Sequence, residues 1–131
     1  DVLGNQLPLA MSDISTAMQQ IKVGTLQAVG VTSTKRSPSL PNVPTLVEQG
    51  LAGYESVGWI GIMAPARTPP EIVAKLNAAL NAALNTKSAR DTIMASGAEP
   101  SPSTPQQLGQ LIQADHARWG EIIKSANIKI Q

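Results

Sequence analysis

The sequence is short of the residue types that most enzyme and nucleic-acid chemistry requires. It contains no cysteine, which removes disulfides, thiolate metal sites and a cysteine nucleophile while leaving the compartment open. It contains no phenylalanine and three aromatic residues, Tyr54, Trp59 and Trp119. A core must therefore be built from Leu, Ile, Val, Ala and Met, and the stacking platforms that hold single-stranded bases are missing. Charge is sparse and balanced, ten basic residues against nine acidic for a net +1. It is also scattered, so no basic stripe tracks a phosphate backbone and nucleic acid is not an expected partner. The one histidine, His116, has neither a second imidazole nor clustered carboxylates with which to hold a metal. A Ser or Thr nucleophile would depend on that single imidazole, without a GxSxG elbow to present it. No GxGxxG or Walker glycine loop supports nucleotide binding, and no apolar run approaches the length of a membrane span. The expectation is no catalytic residue, no metal, no cofactor and no enzyme.

What is present is a globular composition. Hydrophobic residues make up 42% of 131 positions, enough to argue against disorder and within the single-domain range. Asp1 to Asn5 reads as the last turn of a helix with Gly4 at C′, so the chain is expected to be a piece of a longer protein. Leu7 to Met11 reads as a short buried strand limited by Pro8. Ser12 and Asp13 are both good N-cap types for a helix over Ser15 to Val23, with Ile14, Ala17, Met18 and Ile21 on one face and Gly24 as its stop. By themselves the pair read first as a helix cap, and the sharper alternative is that one caps while the other faces a ligand.

The organising stretch is Leu26 to Glu48. It reads as a buried strand over Leu26 to Val31, with Gly30 permitting close backbone approach. A Pro- and Ser-rich loop over Thr32 to Pro44 follows, and then a short helix over Leu46 to Gln49 capped by Thr45 and stopped at Gly50. Lys35 and Arg36 read as solvated surface. Glu55 to Ala64 reads as a strand in which Gly58 and Gly61 flank Trp59 and allow a bend. Thr68 is expected to cap a helix running to about Thr86, with Pro69 at its first position and Glu71 completing a capping box. Ile72, Val73, Leu76, Leu80, Ala83 and Leu84 form its apolar face, and Asn77, Asn81 and Asn85 lie at intervals of four on a face expected to be solvated. A helix over Ser88 to Ser96 stops at Gly97. Thr104, Pro105 and Gln107 open a last helix to about Asn127, expected to bury Leu108, Leu111, Ile112, Trp119, Ile122 and Ile123, with His116 at the edge of that face.

The chemistry left is a set of strand-to-helix turns carrying small polar residues, Ser12-Asp13, Thr32-Ser33 and Thr45. Hydroxyls and free backbone N–H groups at such turns can hold a carboxylate. Asp13 would either meet a ligand ammonium or repel an additional carboxylate.

The wording of the chain resembles the Bug family, the extracytoplasmic solute receptors of tripartite tricarboxylate transporters. The segment VTS-x-x-RSP-x-LP-x-VPT (Val31 to Thr45) and the later APA-x-TP (Ala64 to Pro69) are the most specific parts. The stretches DVLGNQLPLAMSD, GWIGIMAP, SGAEP and ARWGEIIKSANIK extend the resemblance over essentially the whole chain. It implies an α/β, type II periplasmic-binding-protein-like fold in which two lobes close over a small organic acid. This chain would supply roughly the last two fifths. Residues 1–57 would be the later half of the second lobe, 58–70 the crossover strand and linker, and 71–131 helices returning toward the first lobe. The family's glycine-rich loop and its Tyr-Lys-Gly-type loop have no counterpart here. Carried over by position, ligand-facing roles fall on Ser12, Asp13, Thr32, Ser33 and Trp59. Family members often carry an acidic residue and an amide, preceded by an aromatic, where this chain has Met11-Ser12-Asp13, so ligand preference is expected to differ. The implied partners are a small carboxylate (a di- or tricarboxylate, an amino acid or an aromatic acid) and the membrane components of the transporter. The implied place is the periplasm. Self-association through uncovered helix faces is the alternative expectation.

Overall fold

The computed structural model describes residues 1–129. Its elements are four helices, α1 (Ile14–Lys22), α2 (Pro70–Leu84), α3 (Lys87–Ala95) and α4 (Pro105–Ser125). They fall into two compact units. The first comprises Asp1–Ile60 and Thr86–Pro100, and the second comprises Gly61–Asn85 with the described residues from Ser101 onward. The segmentation expected along the chain (1–57, 58–70, 71–131) and this grouping in space differ over Thr86–Pro100, which carries α3. The last two residues of the expected 71–131 segment lie outside the described residues.

Helix boundaries follow the punctuation in the sequence. In α4 the Thr104 hydroxyl accepts from the Gln107 N–H at 3.1 Å and the Gln107 side chain accepts from the Thr104 N–H at 2.8 Å. With Pro105 at the first position, this is the anticipated capping box. Thr86 caps α3, its hydroxyl accepting from the Ala89 N–H. The expectation for α2 is corrected by one residue: Pro69 is the N-cap and Pro70 opens the helix. The Thr68 N–H donates to the Pro65 carbonyl at 3.0 Å, so Thr68 belongs to the preceding turn and forms no capping box with Glu71. At α1, Asp13 occupies the N-cap position without a side-chain cap bond.

Helical turns end in left-handed residues. Gly24, Gly50 and Gly97 all have positive φ, and so do Asn5 and Asn127. In each case paired 5→2 and 6→1 bonds close the last turn, such as Gly97 N–H to Met94 O and Ala98 N–H to Ile93 O. At the start of the chain the left-handed residue is Asn5, not Gly4. The Asn5 N–H bonds Val2 O and the Gln6 N–H bonds Asp1 O, which puts Gly4 one place before C′. Asparagine tolerates this conformation.

The expected strands are the main departure. Residues 7–11, 26–31 and 55–64 form no ladder among the described residues, whose only β pairing is one parallel bridge between Val31 and Thr45. A strand exists by virtue of its neighbour, and these apolar runs have none here. Leu46–Gln49 is likewise a single hydrogen-bonded turn rather than a helix.

Burial tells the same story. Met18 and Val31 are the buried hydrophobic residues, joined by buried Ser37 and Thr45. The apolar faces anticipated on α2 and α4 exist but hold no buried residue. Trp119, Ile122 and Ile123 remain about two-fifths exposed, and His116 is exposed too. The helices carry faces shaped for cover that the described residues do not supply.

Within the second unit, Asn77 and Asn81 both donate to the Ser103 carbonyl, at 2.8 and 3.0 Å. Asn81 also donates to the Asn77 side chain, and Asn85 donates to the Asn81 carbonyl. Asn77 and Asn81 therefore tie α2 to the residue just before the α4 cap and are partly buried, which corrects the solvated reading for these two, while Asn85 stays exposed. An open groove of about 410 Å³ lies beside it, lined by Thr68, Pro70, Val73, Asn77 and Thr104 among others. All of its lining residues are neutral, so it offers no acid, base or charge.

Candidate functional site

The site is built from the Val31–Thr45 crossing outward. The Val31 N–H donates to Pro44 O at 3.0 Å, and the Leu46 N–H donates to Val31 O at 2.9 Å, fixing both ends of the intervening loop. Thr45, 1% exposed, caps the turn that follows: its hydroxyl accepts from the Glu48 N–H at 3.0 Å while its own N–H donates to Glu48 Oε2 at 2.7 Å. This is a reciprocal capping box on the spacing Thr-x-x-Glu.

Glu48 has a second task. The Arg36 Nε–H is shared between its two carboxylate oxygens, at 2.9 and 3.1 Å, and Arg36 Nη1 donates to Pro41 O at 3.3 Å. Arg36 therefore spans its own loop while remaining exposed, so its reading as solvated surface holds for its environment and misses its partners. The Glu48 pKa lies below its ordinary value, first because the Thr45 N–H bonds the carboxylate and next because Arg36 does. Gln49 adds a further tie, its side chain donating to Val29 O at 3.0 Å. That path passes Gly30, where a Cβ would stand 2.6 Å from the Gln49 amide nitrogen and 2.7 Å from a Leu46 methyl. The close approach at this glycine is therefore made by side chains and not by the anticipated backbone, whose nearest atom, Pro44 O, stands at 3.6 Å.

Thr32 and Ser33 leave this clamp at its N-terminal side. The Thr32 hydroxyl donates to Ser56 O at 2.6 Å, and the Ser56 N–H donates back to Thr32 O at 3.0 Å. The Ser33 hydroxyl donates to Lys35 O at 2.6 Å. Both hydroxyl protons are thus engaged by backbone carbonyls, which leaves these oxygens as acceptors. Among the described residues, the backbone N–H groups of Thr32, Ser33 and Thr34 donate to no protein acceptor. Trp59 follows Ser56 by three residues and is 38% exposed.

Ser12 and Asp13 lie elsewhere in the same unit. The Ser12 hydroxyl donates to Asp13 O at 3.3 Å, and both side chains are exposed at the start of α1. That end of α1 is packed against the end of α3, since a Cβ on Gly97 would stand 2.6 Å from Ile14 Cγ2. No hydrogen bond among the described residues joins Ser12 or Asp13 to Thr32 or Ser33. The structure thus connects Thr32 with the segment leading to Trp59. Sequence reasoning passed over Arg36, Glu48 and Ser56. The Thr45-x-x-Glu48 spacing was a readable signal for one of them, whereas contacts across 12 and 24 residues carry none.

Chains of known kind match this one closely. The family model for the tripartite tricarboxylate transporter family receptor matches residues 1–128. The chain belongs to the Bug family of these receptors. A protein from the clcB-clcD intergenic region of Pseudomonas knackmussii is 36% identical over 124 residues, covering 94% of this chain and 73% of that protein. BugT of Bordetella pertussis is 30% identical over all 131 residues, and a Pseudomonas sp. strain P51 protein from the tcbD-tcbE intergenic region is 32% identical over 124. This Bug-family chain spans 40% and 37% of those two relatives. Among solved structures, R. palustris Rpa4515 with adipate superposes with a TM-score of 0.77 at 34% identity, covering 87% of this chain and 38% of that one. The periplasmic binding protein BugD superposes at 0.76 with 35% identity, covering 88% and 39%. The fold is accordingly part of an α/β periplasmic binding protein of type II.

Proposed function

We propose that this chain forms one wall of a solute receptor that captures a small organic carboxylate in a cleft and delivers it to a tripartite tricarboxylate transporter in the periplasm. The observation that carries this reading is the family match over residues 1–128, and the adipate held by one structural neighbour indicates the ligand class. The site geometry is compatible. A loop whose main-chain N–H groups from Thr32 to Ser37 donate to no acceptor among the described residues, held at both ends, suits an anion without a dedicated cation. Thr32, Ser33 and Trp59 belong to one connected part of that wall, and Ser12 with Asp13 belongs to another. Asp13 acts by charge, disfavouring a ligand with one carboxylate too many or pairing with an ammonium. The reading is of a binding protein and not an enzyme. Closure of two walls over the ligand does the work, and the closed state is favoured by contacts to both.

The test is calorimetry with adipate and with tricarboxylates on this chain and on a chimera in which it replaces the matching segment of BugT. The chain alone is expected to bind weakly and the chimera tightly. A correctly folded chimera that binds no carboxylate would sink the reading.

A second reading, self-association of the chain on its own, is favoured by its uncovered apolar residues. Ile60 is fully exposed, and Leu9, Met11, Ile62 and Met63 are each about two-thirds exposed or more. Light scattering that shows a monodisperse monomer across concentration would dismiss it.

A further inference from the structure

We propose that Arg36 and Glu48 are positioning residues for the ligand loop: their ion pair, anchored on the Thr45 N–H and on Pro41 O, holds residues 32–45 in the shape that leaves the Thr32–Thr34 N–H groups available to a carboxylate. The inference deepens the receptor reading and rests on it for the ligand.

The argument is one of connectivity. Between Val31 and Thr45 the loop is held at its two ends by the parallel bridge. Two turns, Leu40 N–H to Ser37 O and Val43 N–H to Leu40 O, fold its middle. The Ser39 hydroxyl ties the middle of the loop to Met94 O in α3, and within the loop Arg36 reaches Pro41 O on one side and the Glu48 carboxylate on the other. Glu48 in turn is bonded to the N–H of buried Thr45. From Thr32 the chain of bonds continues to Ser56 through its hydroxyl and carbonyl, the segment that leads to Trp59. One carboxylate therefore connects the base of the loop, its middle and, through the backbone, its ligand end.

The ion pair contributes little stability in itself. Both side chains are 46% exposed, and pairs of that kind are screened by water and salt. Its consequence is conformational. It also engages the Arg36 guanidinium inside the loop, where it bonds a carboxylate of the protein rather than one of the ligand. The forked planar geometry of arginine is needed to serve Glu48 and Pro41 together, so lysine is not an equivalent replacement.

The experiment is amide NMR of the full chain carrying Glu48→Gln, Arg36→Lys or Arg36→Met. In the ligand-free state the Thr32, Ser33, Thr34 and Ser56 amides are expected to shift in every variant, along with those at 41 and 45, while α4 resonances stay in place. Shifts confined to residues next to positions 36 and 48 would overturn the proposal, whatever the ligand does. Adipate is then titrated into the chain. The Thr32–Thr34 amides are expected to respond at millimolar concentration, and the variants to need roughly tenfold more, the scale of re-ordering a freed segment. Equal adipate response in wild type and variants would also overturn it. If the ligand-free shifts occur but adipate moves no amide in any form, the positioning role stands and the receptor reading of this wall is what fails.

Discussion

Thr45 is the point at which the loop and the turn are joined, and its two functional parts can be removed separately. Thr45→Val keeps the shape and deletes the hydroxyl that accepts from the Glu48 N–H; loss of such a cap costs about 1 kcal/mol, within a range of 0.5–2. Thr45→Ser keeps the cap and deletes one methyl from a site that is 1% exposed, a loss of about 0.8 kcal/mol. Thr45→Ala removes both, so about 2 kcal/mol is expected and the parts should nearly add. Urea unfolding followed by tryptophan emission measures each. With a slope of about 2 kcal/mol/M, the Val and Ser variants should each lower the midpoint by about 0.5 M and the Ala variant by about 1 M. A Val variant as stable as wild type, with the whole Ala effect reproduced by Ser, would refute the cap and reduce Thr45 to a packing residue.

Other expectations follow from single observations. Gly97 has φ +86 and lies where a Cβ would meet Ile14 Cγ2 at 2.6 Å, so Gly97→Ala should destabilise by about 1–3 kcal/mol in thermal unfolding, from left-handed strain and overpacking together. Asn77→Ala and Asn81→Ala should each lose about 1 kcal/mol. Because both side chains serve the Ser103 carbonyl, the double variant should lose more than the sum, with faster amide exchange in the first turn of α4. Glu48 has its carboxyl pKa lowered in the folded chain, so its contribution is fully present above the unfolded value, about 4.3. That contribution disappears as pH falls from there through the folded value. Glu48→Gln should accordingly be less stable than wild type at neutral pH and approach it below pH about 4, read from unfolding midpoints at several pH values.

The helices of this chain were legible because their signals are local. Thr104-Pro105-x-Gln107 and the glycines at 24, 50 and 97 state where a turn begins or ends, and the backbone obeys them. The Thr68 cap was misplaced because consecutive prolines at 69 and 70 leave two acceptable first positions, and the choice depends on the turn made with Pro65. The strands were legible as apolar runs but not as pairs, since pairing depends on a neighbour that periodicity does not name. The same limit applied to the apolar faces of α2 and α4, whose pattern is correct and whose cover is not in the described residues.

At the candidate site, Thr32, Ser33 and Thr45 were readable as small polar residues at a strand-to-helix turn. The sequence could not show that the two loop hydroxyls are taken up by Ser56 and Lys35 carbonyls, nor that Arg36 crosses twelve residues to Glu48. Under the proposed receptor reading, those contacts would leave more of the anion recognition to main-chain N–H groups. Among the described residues no hydrogen bond joins Ser12 or Asp13 to that group, and their part in recognition rests on the receptor reading.

The measurement that bears most directly on the central claim is calorimetric titration of adipate into this chain, compared with the chimera in which it replaces the matching segment of BugT. One wall of a closing cleft should give little heat by itself and tight, saturable binding when the opposing wall is supplied. Submicromolar binding by the chain alone, or none by a folded chimera, would contradict the account.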